Sequence, residues 1–127
     1  MNWMSEARQS TEVVASGDRV ETLMLEGELG ERELAQVSEE LFRRLQRGLR
    51  QMVLDFSEVP HLNYRGVKLL VGSAESFRRA GGDVKLAGLS PYLAAIFRAA
   101  GAHASFEMYP HMNDARAAFA LSRAPFV

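Results

Sequence analysis

Residues 61–66, His-Leu-Asn-Tyr-Arg-Gly, crowd an imidazole, a carboxamide, a phenol and a guanidinium into one turn between a proline-bounded loop and an apolar periodic segment. Asn63 is suited to cap a helix, because its side-chain oxygen can accept a first-turn N–H. Gly66, lacking a side chain, lets another backbone or a partner approach closely. Tyr64 either packs inward as a bulky core residue or stands exposed, and exposure is the expectation for a first turn that ends a polar loop. Arg65 adds a fixed positive charge, which favours an acidic partner surface and repels a basic one.

Asp55 is the other polar residue placed where chemistry gathers, at the carboxyl end of an apolar strand-like run. A carboxylate there can hold magnesium, but no paired acidic residues accompany it on an earlier strand. It is therefore expected to hydrogen-bond the loop that follows it. A nucleotide in the crevice beyond Asp55 is a weaker reading of the same position.

Nothing else supplies a reaction centre. The chain has no cysteine, His61, His103 and His111 are scattered, and no HExxH pair is present. No Walker A sequence and no GxSxG elbow occurs. A non-enzymatic protein is expected, with no cofactor and no metal.

At 127 residues the chain has the length of one domain. It is 47% hydrophobic and 24% charged, close to the soluble globular average. Its 15 basic and 16 acidic residues give a net charge of −1, so no overall field draws nucleic acid or anionic lipid. The basic run at 43–50 reads as the solvated end of a helix, where cations complement the dipole. No apolar run approaches the roughly 20 residues of a spanning helix, so no direct membrane insertion is expected. Glu6 and Arg8 fall where a signal peptide would keep its apolar core. With zero cysteines, this points to the cytoplasm.

The elements that must position residues 61–66 follow from periodicity. Residues 1–10 read as a disordered tail, and 124–127 as a second tail flanking a single domain over 11–123. Strands are expected at 11–15 and 19–26, antiparallel across a turn at 16–18. Leu34, Val37, Leu41, Phe42, Leu45 and Leu49 form the apolar stripe of a helix over 30–48. Residues 51–56 read as a central strand buried on both faces. A helix from 64 to 80 buries Val67, Leu70, Val71, Ala74 and Phe77, and a strand at 83–87 follows. Ser90 caps a third helix with Pro91 in its first position, and Leu93, Ile96, Phe97 and Ala100 face inward. A short edge strand at 105–108 and a last helix opened by Asn113-Asp114, carrying Ala115, Ala118, Phe119 and Leu121, complete the order. The fold class is α/β: a mixed sheet with an antiparallel N-terminal hairpin, a parallel remainder and about four covering helices.

In this order and spacing, five segments resemble the STAS family, the domain shared by bacterial anti-sigma factor antagonists and the cytoplasmic tails of sulfate transporters. They are 25–29 (LEGEL), 53–59 (VLDFSEV), 63–67 (NYRGV), 84–91 (VKLAGLSP) and 108–115 (MYPHMNDA). The resemblance covers about 11–121 and is to the antagonist branch. There the segment matching 63–66 reads Asp-Ser-Ser-Gly or Asp-Ser-Thr-Gly, and its first hydroxyl residue is phosphorylated by a kinase that is also the anti-sigma factor. Asn63 falls on the family aspartate, Tyr64 on the phosphorylated serine and Arg65 on the second hydroxyl position, and Gly66 is kept. Gly30 stands where the family usually has Asp.

The resemblance implies a protein-binding regulator of transcription in bacterial signalling, one that lacks the usual phosphorylatable hydroxyl. Its contact residues would be Gly27, Glu28, His61, Asn63, Tyr64, Arg65 and Gly66, and its partner an anti-sigma factor of the serine-kinase type or another regulatory protein. A homodimer is left open. Alternatives are an accessory subunit of a lipid-transporting ATPase, docked through its second helix, and a stressosome-like scaffold component.

Overall fold

The run at 51–58 sets the layering, because successive strand side chains point to opposite faces of a sheet. The computed structural model describes residues 9–13 and 19–122. Its elements run β1 (Gln9–Val13), β2 (Arg19–Glu26), α1 (Glu31–Gln46), β3 (Gln51–Glu58), α2 (Val67–Arg79), β4 (Asp83–Ala87), α3 (Pro91–Ala99), β5 (Met108–Tyr109) and α4 (Met112–Ser122). Strands lie side by side in chain order, and β2 to β5 pair in parallel throughout. Parallel neighbours need a crossover, and α1, α2 and α3 provide them.

The alternation sorts side chains by face. Leu23 and Leu25 of β2, Met52, Leu54 and Phe56 of β3, and Val84 and Leu86 of β4 join the large core with α1, α2 and α3. Phe56 meets Phe97 of α3 edge-on at 5.9 Å. Val20, Val53 and Ala87 look the other way, onto Ala115 and Phe119 of α4. Buried polar residues are concentrated on this second face. Thr22 accepts from Arg116 Nε at 2.9 Å, and Lys85 reaches Glu107 and Asp83 at 2.5 and 3.3 Å.

β1 pairs antiparallel with β2 at the outer edge. It takes in Gln9 and Ser10, two residues expected to belong to the tail. The turn expected at 16–18 lies outside the described residues, so the hairpin is not a described feature and the sheet that carries the core is parallel. Residues 124–127 also lie outside them.

Other boundaries shift for local reasons. The expected strand at 105–108 is a 3-10 turn over His103–Ser105 followed by β5, because only Met108 and Tyr109 pair with Leu86 and Ala87. Phe42 is 55% exposed rather than buried, whereas Leu34, Val37 and Leu41 carry the inward stripe of α1. Residues 64–66 form a 3-10 turn, and α2 begins only at Val67. Ser90 caps α3 as expected, its hydroxyl accepting from Leu93 N–H at 3.1 Å. Among the described residues, no helix is long and apolar enough to cross a membrane.

Candidate partner-binding surface

Because β2 and β3 run in parallel, the loops that follow them leave the same end of the sheet. Three backbone hydrogen bonds then tie the loops together. Gly27 N–H donates to Glu58 O at 3.1 Å, Leu29 N–H to His61 O at 3.1 Å, and Asn63 N–H to Leu29 O at 2.8 Å. Leu29 and Leu62 form a parallel bridge and bury their side chains beneath it. Gly27 has φ of 77°, a left-handed conformation that makes this turn easy only for glycine. Exposed Glu28 is thereby held beside residues 61–66.

Within that segment Asn63 performs the expected cap: its Oδ1 accepts from Arg65 N–H at 2.9 Å. The capped 3-10 turn directs Tyr64 and Arg65 outward, and Tyr64 is 55% exposed. This settles the alternatives left open for Tyr64 in favour of exposure. Gly66 behaves differently from expectation. It is buried, and a Cβ there would lie 3.0 Å from Leu34 Cβ and closer still to Leu34 Cδ1. The close approach that selects glycine comes from α1, so Gly66 offers no surface to a partner.

Asp55 is 4% exposed and turned to its own loop. Its Oδ1 accepts from Ser57 N–H at 2.9 Å and from Ser57 Oγ–H at 2.5 Å, the loop-bracing role read from its position. No cluster of three or more potential metal ligands occurs among the described residues. His103 and His111 are exposed, on the turn before β5 and just ahead of α4, and neither joins residues 61–66.

Tyr92, which is not among the residues expected at the site, completes the surface. Its ring stacks on His61 with centroids 5.6 Å apart and planes 28° from parallel, and His61 Nδ1 and Tyr92 Oη are 2.6 Å apart. Tyr92 is 53% exposed, and with His61, Asn63, Tyr64, Arg65 and Ile96 it lines a shallow depression. A signal existed: the Ser90-Pro91 cap places Tyr92 in the solvent-facing first turn of α3, where a large aromatic ring gains nothing from the core. The surface is thus two tyrosines and an imidazole with an arginine, flanked by Glu28. Aromatic rings and arginine are the side chains that dominate protein interfaces.

The STAS domain family model matches residues 13–115. A comparison with curated proteins finds no match. Solved structures with the same fold include an anti-sigma factor antagonist from Mycobacterium paratuberculosis, 20% identical with a TM-score of 0.68, covering 91% of this chain and 97% of that one. The Bacillus cell fate determinant SpoIIAA in its phosphorylated form is 19% identical, with a TM-score of 0.64 and coverage of 87% and 98%. A sulfate transporter family protein from Wolinella succinogenes is 21% identical, with a TM-score of 0.71 and coverage of 87% and 90%. From its second to its last strand, this chain belongs to the STAS family.

Proposed function

We propose that this chain is a non-enzymatic, cytoplasmic regulator of the anti-sigma factor antagonist type, which recognises a protein partner through Glu28, His61, Tyr64, Arg65 and Tyr92. The observation that carries the reading is the stitching of the two loops by the Leu29–Leu62 bridge, which sets the exposed Glu28 level with His61, on the approach to an exposed Tyr64. The partner class is an anti-sigma factor with serine-kinase activity or a related regulatory protein.

The phenol of Tyr64 carries its hydroxyl several ångströms beyond where a serine or threonine would hold it, so a serine kinase meets no nucleophile at the expected point. Phosphorylation would add about −1.5 to −2 charges at the surface. Release of the partner is therefore independent of serine phosphorylation at this position, and Arg65 holds a permanent positive charge there instead.

Affinity capture from the native cell with the natural chain and with Tyr64→Ala tests the reading. Capture of a kinase-type anti-sigma factor, lost with Tyr64→Ala, is the expected result. Undiminished capture of every partner by the variant removes this surface, and recovery of a transporter ATPase subunit instead replaces the antagonist reading with the accessory-subunit one.

A further inference from the structure

Two residues on the helical face are costly for the isolated chain. Gly72 lies inside α2, where glycine is worse than alanine for helix stability. Its φ is not in the left-handed region, and a Cβ added to it would meet nothing within 4 Å. No contact among the described residues explains it. Phe42 on α1 leaves 55% of its surface in water, although the helix has a buried stripe available. Both residues line one groove, with Ser38, Glu39 and Leu45 on the α1 wall and Lys68, Leu69 and Phe77 among those on the α2 wall.

The groove floor is internally satisfied. Ser38 Oγ and Ser73 Oγ are 2.7 Å apart, and Ser73 Oγ–H also reaches Leu69 O at 3.1 Å. Their polar atoms need no water, so an apolar group can cover them at little desolvation cost. At the rim, Glu39 and Lys68 carry opposite charges, and neither has an ion pair among the described residues.

We propose that the occupant of this groove is a second copy of the same chain, related by a two-fold axis parallel to α1 and α2. Contacts of Leu34 with Gly66 and of Ser38 with Ser73 show that the two helices run side by side in the same direction. A two-fold axis along them lays α1 of one copy on α2 of the other at equal height, the self-complementary arrangement of an isologous dimer. Helical side chains reach back toward the N-terminus, so the Phe42 ring covers the preceding turn. That turn lies level with Gly72 of the other copy, which provides the space the ring needs. Glu39 and Lys68 then face each other across the axis twice. One patch carries both a projection and its recess, and both charges, as self-recognition requires.

The test is sedimentation of the full chain from micromolar to millimolar concentration, with variants at exposed positions that leave the core alone. A reversible dimer is expected. Gly72→Leu raises the melting temperature of the monomer by helix propensity and abolishes the dimer. Glu39→Lys and Lys68→Glu each weaken it about tenfold or more, because each sets like charges together. Mixing those two variants restores association, since every cross-pair is then opposite in sign. A chain that stays monomeric throughout, whether because its own termini or another protein fill the groove, overturns the proposal. So does a dimer indifferent to these changes. Tyr64→Ala leaves the dimer intact, which keeps this result separate from the partner-capture experiment.

Discussion

His61 and Tyr92, 31 residues apart in the chain, stack with their ring centroids 5.6 Å apart and share a 2.6 Å hydrogen bond. The pair fastens the first turn of α3 to the loop after β3, and so holds the two sides of the candidate surface at a fixed separation. An offset aromatic pair contributes about 0.5–1.5 kcal/mol beyond its buried area. Tyr92→Ala is expected to lower stability by about that amount and to speed amide exchange in residues 61–63. Tyr92→Phe keeps the stack and loses only an exposed hydrogen bond, so its unfolding free energy, measured with urea, stays within about 0.5 kcal/mol of the natural chain.

That pair also marks the limit of what the sequence discloses. Strand and helix order were legible, because Leu23, Leu25, Met52, Leu54 and Phe56 keep a period of two and Val67, Leu70, Ala74 and Phe77 keep a helical one. The cap by Asn63 and the loop contact of Asp55 were legible too, since both join residues two apart. The partnership of His61 with Tyr92 depends on where α3 lands on the sheet, which no local pattern encodes. Phe42 misled for the opposite reason: it fits the apolar spacing of α1, yet lies one step around the helix from Leu41, which takes the buried position.

Gly66 is a second place where tertiary packing decides a residue. Any Cβ there intrudes on Leu34, whose own Cβ would be 3.0 Å away. Gly66→Ala is expected to cost about 1–3 kcal/mol by overpacking. Leu34→Ala alone costs about 2–5 kcal/mol through its cavity. Combined, the added methyl occupies part of the space the leucine vacates, so the double variant is more stable than the sum of the two losses implies. Urea denaturation of the four proteins measures the coupling; strict additivity would mean that the two residues do not contact.

Beside β5, Tyr109 and Glu107 make stability depend on pH at both extremes. Burial, then the hydrogen bond its hydroxyl donates to Glu107 at 2.9 Å, push the Tyr109 phenol up to about 12. Its folded value exceeds the unfolded value of about 10, so the stabilisation is complete below about 10 and is lost as pH rises through the folded value. The hydrogen bond from Lys85, then that from Tyr109, hold the Glu107 carboxyl below the ordinary range. Its contribution is complete above the unfolded value of about 4.3 and disappears as pH falls through the lower folded one. One of the three tyrosines should therefore ionise late by ultraviolet difference absorbance, and Tyr109→Phe should remove that late step. Glu107→Gln should flatten the acid limb of a plot of urea midpoint against pH.

Lys85 is only 3% exposed, yet its ammonium lies 2.5 Å from Glu107 Oε1, 3.3 Å from Asp83 Oδ2 and 4.5 Å from the centroid of the Phe119 ring. Desolvating a charge this thoroughly offsets most of what its partners return, and replacing a buried ion with an apolar group of similar volume is often neutral or stabilising. Lys85→Met keeps an unbranched stem against Phe119 and lets sulfur take the place of the cation on the ring. Its unfolding free energy is expected to lie within about 1 kcal/mol of the natural chain or above it. Glu107→Ala does the reverse, leaving the buried ammonium with Asp83 alone, and should cost about 1–3 kcal/mol. Because the cost of losing Glu107 arises from the stranded charge, the double variant should be nearly as stable as Lys85→Met alone. A double variant as unstable as Glu107→Ala would show that Glu107 stabilises β5 by some route other than Lys85.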